Sequence, residues 1–329
     1  MTRKILFRAD GNSDIGLGHL YRLFALVEMY KEHYDFVFLT KESSILTIIP
    51  NWYNVKTIPE GIDIKNEPLW ISSNFLSQEY IIIADGYQFT SIYQQQIKQK
   101  GYSLIYIDDL AVEHMFADVV INHSPHITKS NYKCEKYTKF AHGLDYAVLR
   151  PAFLAETKKK REIKKIDSVF LCFGGADKDN FTLKIYNLLR EIDSIKEIHI
   201  ILGAGYNHQT NLKDDKTFIY RNLSENDLIT VMYNCNLAIT PTSTILLELC
   251  CINIPVISGY LEDNQKKAYT ALNELGAISG IGNFRKFLLS ESNLENIINN
   301  LEIQKLLDTQ NKLLNRNQLD NFKKLIKTL

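Results

Sequence analysis

Short apolar segments alternate with segments of helical composition through most of this chain of 329 residues, and the alternation begins twice. Each half opens with a short apolar segment, a glycine turn and a helical pattern, at residues 5–7 and again at 169–173. Segments that are apolar on both faces are typical of parallel strands covered by helices. The pattern therefore predicts an α/β protein of two doubly wound, Rossmann-like domains that face each other across a cleft.

A charged stretch at residues 156–165 separates the two halves. A stretch this basic could grip phosphate, but a solvated linker is the simpler interpretation. We therefore predict an N-terminal domain at 1–155 and a C-terminal domain at 166–329, the second ending in one or two amphipathic helices. The predicted strands are residues 5–7, 36–39, 53–58, 80–84, 104–107, 119–121, 169–173, 198–202, 217–220, 237–240 and 256–258.

Composition limits the possible partners of the chain. With 38 basic and 38 acidic residues, it lacks the basic excess that a broad nucleic-acid or anionic-membrane surface requires. Its five cysteines include no CxxC pair, so neither a zinc site nor a disulfide framework is expected. Arg8 and Asp10 interrupt the apolar stretch that a signal peptide needs. We expect a soluble, cytoplasmic monomer that requires neither metal nor cofactor.

The sequence Gly16-Leu17-Gly18-His19 follows the first predicted strand and opens the first predicted helix. Glycines allow close backbone approach, and the N-terminus of a helix presents unpaired N–H groups and a positive dipole end. This segment could hold an anion beside the imidazole of His19, although a lone histidine near a helix start is more often a capping or structural residue. Asp10 and Arg22 could orient His19 or the substrate, or form a salt bridge that braces the turn.

Further acidic residues follow later strands of the first half. Asp85, Asp108 and Asp109 end predicted strands at the same rim of the domain, where they could contact a sugar. Helix capping is the default interpretation for acids in such positions.

In the second half, Gly174-Gly175 lies at a strand end where glycine amides could approach a diphosphate, or simply form a turn. Thr242, Ser243 and Thr244 follow a later strand and offer hydroxyls and free N–H groups as a second anion site, or ordinary caps.

Polar groups suited to sugars follow in the same half. Glu248 lies in an apolar helix, where it needs either a hydrogen-bonding ligand such as a ribose or a buried ion pair. Asn264 and Gln265, at the start of the next helix, are suited to sugar hydroxyls and acetamido groups.

Together these motifs resemble the UDP-2,4-diacetamido-2,4,6-trideoxy-β-L-altropyranose hydrolases of pseudaminic acid biosynthesis, over about residues 3–278. The second half is also similar to the nucleotide-sugar domain of the MurG-type GT-B glycosyltransferases. The residues that carry the resemblance are Phe7 to Asp10, Gly16 to His19, Arg22, Asp108-Asp109, Asn122, Gly143 to Arg150, Phe173 to Asp177, Ser243-Thr244, Glu248 and Asn264-Gln265.

The resemblance implies a GT-B fold, a UDP-sugar as substrate and UDP as product. It implies that His19 activates a water for inverting attack at the anomeric carbon, that Glu248 holds the ribose, and that Asn264 and Gln265 lie near the sugar or diphosphate. Lys266 stands where some relatives have an acidic residue, so no contact is carried over to it. A GT-B glycosyltransferase and a non-catalytic UDP-sugar-binding protein remain the alternatives.

Overall fold

The computed structural model of the protein describes residues 3–12, 14–209, 212, 214–287, 290–314 and 317–329. It divides into two compact units. One consists of Met1–Pro151 together with Asn317–Leu329, and the other of Ala152–Arg316.

The first unit is built on a parallel sheet of seven strands in the order β3-β2-β1-β4-β5-β7-β9, with helices on its faces. Its strands are β1 (Lys4–Ala9), β2 (Phe36–Lys41), β3 (Val55–Ile58), β4 (Tyr80–Asp85), β5 (Ser103–Ile107), β6 (His114–Met115), β7 (Val119–Asn122), β8 (Lys133–Cys134) and β9 (Lys139–His142), of which β6 and β8 form a separate pair. Its first three helices are α1 (Gly18–Tyr30), α2 (Glu67–Asn74) and α3 (Ser91–Gln99).

The second unit has a six-stranded parallel sheet in the order β12-β11-β10-β13-β14-β15. The chain enters it within helix α4 (Pro151–Glu156). Its strands are β10 (Ser168–Leu171), β11 (Glu197–Leu202), β12 (Thr217–Arg221), β13 (Leu237–Pro241), β14 (Val256–Tyr260) and β15 (Ser279–Asn283). Its helices are α5 (Phe181–Leu189), α6 (Glu225–Asn234), α7 (Thr244–Ile252), α8 (Asp263–Glu274), α9 (Glu291–Asn299) and α10 (Ile303–Leu313).

The core of each unit lies against its central strands, which are apolar on both faces. Leu6 of β1 and Ile82 of β4 are fully buried in the first unit, and Leu171 of β10 and Ile239 of β13 in the second. Such strands must be covered by helices on both sides, as the alternation in the sequence predicted.

Each sheet has one point at which its strand order reverses. In the first unit this point lies between β1 and β4, and in the second between β10 and β13. Loops that leave neighbouring strands in opposite directions open a crevice at the carboxyl ends of those strands, which is where open α/β sheets bind ligands. The predicted glycine turns follow β1 and β10, so each lies at one of these two switch points.

The end of the chain corrects the predicted domain boundary. Residues 166–329 were assigned to the second domain, but helix α11 (Asn317–Ile326) belongs to the first unit. There the hydroxyl of Tyr30, at the end of α1, donates to the carbonyl of Phe322 (2.8 Å), and Gln318 donates to that of Leu144 (3.1 Å). Phe322 itself is fully buried, so the apolar face of α11 completes the first core.

The charged stretch at residues 156–165 is mostly exposed, as a solvated linker would be, but two of its side chains are bonded to the second unit. Its Arg161 donates from Nη2 to the carbonyl oxygens of Tyr233 (3.0 Å) and Cys235 (2.7 Å), and the Tyr233 hydroxyl donates to Glu156 (2.6 Å). These bonds tie Arg161 and Glu156 to the end of α6, in agreement with a second unit that begins at Ala152 rather than at 166.

Candidate functional site

The first switch point carries the glycine turn that leads into α1. Gly16 has a φ of 79°, which glycine adopts without strain, and its N–H donates to the carbonyl of Asn12 (2.9 Å). A Cβ on Gly11 would lie 2.5 Å from Cδ1 of Leu20, so the backbone passes directly over the helix. Gly18 begins α1, whose N-terminus has no side-chain cap. The turn thus brings the start of α1 to the end of β1.

His19, the second residue of α1, is buried and is held by Asp85 at the end of β4. The His19 Nδ1 lies 2.7 Å from Oδ1 of Asp85. Because an ionised carboxylate can only accept a hydrogen bond, we assign the proton to Nδ1, which leaves the lone pair on Nε2. The arrangement orients an imidazole whose Nε2 can accept a proton.

Arg22, one turn further along α1, binds two carboxylates. Its Nε and Nη2 each lie 2.7 Å from an oxygen of Asp85, and its Nη1 lies 2.6 Å from Oδ1 of Asp109. Nη2 also lies 2.9 Å from Nδ1 of His19, and in the assigned tautomer both nitrogens donate to Asp85. Burial lowers the pKa of Arg22, but the charges of Asp109 and Asp85 outweigh burial and raise it well above its usual value. Arg22 therefore offsets the charge of Asp85 beside His19.

Asp109, the partner of Arg22 that follows β5, is ionised. Burial would raise the pKa of Asp109, but the Arg22 guanidinium more than compensates and lowers it below its usual range. Asp109 also accepts a hydrogen bond from the hydroxyl of Tyr87 (3.2 Å). Of the three acids considered at this rim, Asp85 and Asp109 therefore serve the group around His19.

Asp108 has a different task. Its Oδ2 accepts from the N–H of Ala111 and from the hydroxyl of Tyr132, both at 2.7 Å. Ala111 has a φ of 56°, and the carboxylate stabilises this tight turn after β5. Asp108 is committed to the turn.

Asp10 does not contact His19. Its carboxylate accepts from both terminal nitrogens of Arg8, from the N–H of Lys41 (2.7 Å) and from the side chain of Gln88 (3.1 Å). Burial opposes ionisation, but the charge of Arg8 prevails and lowers the pKa of Asp10. Of the two interpretations left open for Asp10, the salt bridge is the one that the geometry supports.

Two aromatic side chains at this switch point were missed in the sequence. The ring of Tyr87 meets that of His19 edge-on, with centroids 4.9 Å apart and an interplanar angle of 88°. His123 follows β7, and its Nδ1 is buried without a hydrogen-bond partner in the described part of the chain. Burial is the main cause that lowers the pKa of His123, so its neutral form is favoured. Their positions just after strands could have indicated them in the sequence: Tyr87 comes two residues after Asp85, and His123 directly follows Asn122.

At the second switch point, the Gly174-Gly175 turn packs against Gly203 on one side and is open on the other, where a Cβ on either glycine of the turn would meet no atom within 4 Å. Gly174 has a φ of 82°, and a Cβ on Gly203 would lie 2.4 Å from the carbonyl oxygen of Gly175. The Asp177 carboxylate accepts from the N–H groups of Phe181 and Thr182, both at 2.8 Å. The N-terminus of α5 is therefore capped by the protein itself, and only the glycine turn before it could serve an anion.

The hydroxyl residues at the start of α7 differ in whether they form structural hydrogen bonds. Thr242 is buried, and its Oγ1 donates to the carbonyl of Gly259 (3.0 Å), which joins β13 to β14. Ser243 is the N-cap of α7, but no side chain caps the helix, and Thr244 is its first residue. Glu248 lies one turn further on and is buried. The N-terminus of α7 is thus uncapped where that of α5 is not.

Glu248 lies close enough to the end of β10 to act on Cys172. Burial, with smaller contributions from the charges of Asp177 and Glu248, raises the pKa of the Cys172 thiol to about 11. The carboxylate of Glu248 and the Gly174 turn therefore belong to one region of the second unit.

The start of α8 is held by a capping box. Gln265 Oε1 accepts from the N–H of the N-cap Glu262 (3.4 Å), and the Glu262 side chain accepts from the N–H of Gln265 in return; the same Oε1 also accepts from the N–H of Leu261 (2.8 Å). Arg285 joins this end to the α5 loop, because it donates to Asp179 (2.7 Å) and to Glu262 (2.8 Å). The expected sugar contact of Gln265 is thus limited to its amide nitrogen, while the neighbouring Asn264 lies on the first turn of α8.

Among the described residues, no group of three or more His, Cys, Asp or Glu side chains has the arrangement of a metal site. Within the same residues, no helix has the length and apolar character needed to cross a bilayer.

Comparison with known proteins confirms the predicted resemblance. The chain is 28% identical over 288 residues to the UDP-2,4-diacetamido-2,4,6-trideoxy-β-L-altropyranose hydrolase of Campylobacter jejuni, covering 83% of this chain and 97% of that protein. It is 26% identical to an uncharacterised protein of Methanocaldococcus jannaschii, covering 81% of this chain but only 57% of that longer protein. No family model matches the chain.

Solved structures establish the fold class. The MurG of Acinetobacter baumannii superposes with a TM-score of 0.64 at 12% identity, covering 99% of this chain and 100% of that one. At this identity the likeness concerns the fold alone. The predicted α/β, GT-B-like fold is confirmed.

Proposed function

We propose that this protein hydrolyses a UDP-sugar to the free sugar and UDP, and that the sugar is 2,4-diacetamido-2,4,6-trideoxy-β-L-altropyranose or a close relative, as in the biosynthesis of pseudaminic and related nonulosonic acids. The observation that carries the proposal is the pairing of His19 with Asp85, which supplies a base with a defined free nitrogen. The name and extent of the Campylobacter relative support the substrate.

His19 is the proposed general base. Its Nε2 takes a proton from a water while the water oxygen forms a bond to the anomeric carbon. The bond from that carbon to the diphosphate oxygen breaks with its electron pair, so UDP leaves and the configuration is inverted. Asp85 stabilises the imidazolium that forms, because it accepts from Nδ1–H throughout. Gly16 and Gly18 let the substrate approach the backbone of this turn.

The leaving diphosphate needs hydrogen-bond donors that stabilise its negative charge, not a base. Of the helices α5, α7 and α8, which follow strands of the second sheet, α5 is capped by Asp177 and α8 by Glu262. At the N-cap of α7, by contrast, Ser243 makes no side-chain cap hydrogen bond, and no capping box holds the start of this helix. The N–H groups at Ser243 and Thr244, together with the Gly174-Gly175 turn, are therefore the proposed donors to the diphosphate.

The remaining predicted contacts stay proposals of the same kind. Glu248 would accept hydrogen bonds from the ribose hydroxyls, and Asn264 and the amide nitrogen of Gln265 would donate to the sugar or diphosphate. Thr242 would act indirectly, since it ties the α7 loop to β14. Arg22 would orient His19 through Asp85, and Asp10 would support the turn.

A glycosyltransferase acting on the same donor is the second candidate. Exposed apolar side chains border the His19 turn: Ile15 (50% exposed), Tyr21 (46%) and Leu46 (42%). These three residues are the observation that favours a transferase, because an acceptor of apolar character would need such an exposed surface.

Release of UDP from candidate UDP-sugars without any acceptor tests the proposal. We expect release by the parent chain, retained in EDTA, and its loss in His19→Asn. Release only after addition of an acceptor would assign a transferase, and UDP-sugar binding without any turnover would assign a binding protein.

A further inference from the structure

Gln88 anchors the short turn that follows β4. Its Nε2 donates to Oδ2 of Asp10 at 3.1 Å. Its side chain folds back over Gly86, where a Cβ would lie 2.4 Å from the Gln88 Oε1. The turn is thus tied by a side chain to the end of β1, across the switch point of the first sheet.

The other end of this bond is immobile. Arg8 donates from Nη2 to the Asp10 carboxylate. Arg8 is fully buried and also donates from Nε to Glu67 (2.7 Å). The N–H of Lys41, at the end of β2, donates to the same Asp10 carboxylate (2.7 Å). Side chains held by several charged hydrogen bonds in the interior have little freedom to move.

The residue held between Gly86 and Gln88 is Tyr87, which packs against the imidazole of His19. Its ring stands edge-on to that of His19, and its hydroxyl donates to Asp109 (3.2 Å). The Tyr106 hydroxyl donates to the carbonyl of Gly86 (3.2 Å), so the turn is held from a third direction.

We propose that Gln88 is a positioning residue for His19: its bond to Asp10 fixes the turn of residues 86–88, and the turn holds Tyr87 where its ring keeps the imidazole of His19 presenting Nε2. Asp85 constrains Nδ1 of this imidazole, whereas Tyr87 constrains the plane of the ring. The inference rests on the proposed role of His19 as the base.

Replacement of Gln88 by methionine tests this role, because methionine keeps the length of the side chain and removes its amide. We expect Gln88→Met to lower kcat about 10-fold, the lower range for groups that orient a reacting side chain, with KM changed less than about twofold. Gln94→Met makes the same substitution as a control: Gln94 is buried, whereas Gln88 is half-buried, and it donates to the carbonyl of Phe89 (3.1 Å) and the sulfur of Met115 (3.7 Å). It should lower thermal stability and leave kcat unchanged.

A double-mutant cycle distinguishes positioning from general stabilisation. If Gln88 acts through Tyr87, Gln88→Met should have no further effect on kcat in a Tyr87→Ala background. An equal loss in both backgrounds, or no loss in either, would overturn the inference. If Gln88→Met does not fold, Gln88→Glu replaces it, and its deficit relative to the parent should shrink as the pH falls and the new carboxyl becomes able to donate to Asp10.

The ring signals of His19 in NMR spectra separate this inference from the proposed reaction. His19→Asn identifies them by their loss. We expect them to shift in Gln88→Met and in Tyr87→Ala, as the edge-on ring is displaced, but not in Gln94→Met. Unmoved His19 signals in Gln88→Met would refute the positioning role. A parent chain that releases no UDP would refute the proposed reaction, whatever these signals show.

Discussion

The two sheets present the same kind of switch point with different chemistry. At the first, a histidine, an arginine and two carboxylates are bound into one charged group around His19. At the second, glycines, hydroxyls and backbone N–H groups dominate, and the carboxylate of Asp177 is turned onto the start of α5. The difference indicates that switch points of the same topology can carry either side chains suited to moving a proton or donors suited to holding an anion.

Capping is the detail that separates the two regions most clearly. In the second unit Asp177 caps α5 and a capping box holds the start of α8, whereas Ser243 at the N-cap of α7 makes no side-chain cap hydrogen bond. In the first unit α1 is also uncapped, but its second residue is the imidazole of His19. Under the proposed function, proton transfer belongs to the first unit and nucleotide binding to the second, and this division can be tested separately in each.

Loss of His19 should have the largest effect. We expect His19→Asn to lower turnover by roughly 10² to 10⁴-fold, the usual worth of general base assistance, with Kd for UDP changed less than about twofold. The exposed His33, just beyond α1, provides the control His33→Asn, which should leave both quantities unchanged. A His19→Asn variant with near-normal turnover would break the division of labour and leave His19 as a structural cap.

Asp85→Asn should have the next largest effect. An amide can donate to Nδ1, which would favour the tautomer with its proton on Nε2, and it leaves Arg22 with one carboxylate fewer. We expect turnover to fall roughly 100-fold, with UDP affinity retained. Steady-state kinetics measures turnover, and titration with UDP measures affinity. Equal losses of turnover and of UDP affinity would indicate general disruption of the fold.

In the second unit, Glu248→Ala should weaken UDP binding by about 1.5–3 kcal/mol, the range for hydrogen bonds to charged groups. Calorimetric titration with UDP measures the loss, and Glu248→Gln, which keeps an acceptor, should lose less. Normal UDP affinity in a folded Glu248→Ala variant would favour the buried ion pair and remove Glu248 from the nucleotide site.

The smallest effect expected is on the pH dependence of stability. The pKa of Asp109 is lowered in the fold, since the charge of Arg22 outweighs burial. A carboxyl with a lowered pKa stabilises the folded state above its ordinary pKa of 3.8 and loses that contribution as the pH falls through the folded value. Asp109→Asn should therefore be less stable than the parent at neutral pH, and the difference in urea midpoint should narrow below about pH 4. A difference independent of pH would contradict the ionised Arg22–Asp109 pair.

The sequence was sufficient for the layout of the fold because apolar strands and glycine turns are local signals. The alternation predicted eleven of the thirteen strands of the two sheets and missed the edge strands β9 and β15, and the turns at Gly16 and Gly174 were placed after the correct strands. The destination of α11 was not predictable, because an amphipathic pattern shows that a helix packs against something without showing what. Its return to α1 depends on bonds such as that from Tyr30 to Phe322, which are 292 positions apart.

The side-chain partners at the switch points could not be predicted from the sequence, for a related reason. His19 was identifiable from its turn, but its partner Asp85 lies 66 positions away and becomes adjacent only through the order of β1 and β4. Asp177 caps α5 from a φ of 44°, a conformation that aspartate adopts less often than glycine or asparagine. Tyr87 carries no motif, and its place beside His19 follows from the turn after β4.

Hydrolysis in ¹⁸O-labelled water tests the central claim most directly, because it reports which bond is broken. If water activated at Nε2 of His19 attacks the anomeric carbon while the second unit holds UDP, the label should enter the free sugar and be absent from UDP, and the first sugar released should have the inverted configuration. Label in UDP would place the attack at phosphorus. UMP and a sugar 1-phosphate as products would show that the diphosphate linkage itself is cut, and either result would contradict the assignment of proton transfer and nucleotide binding to the two switch points.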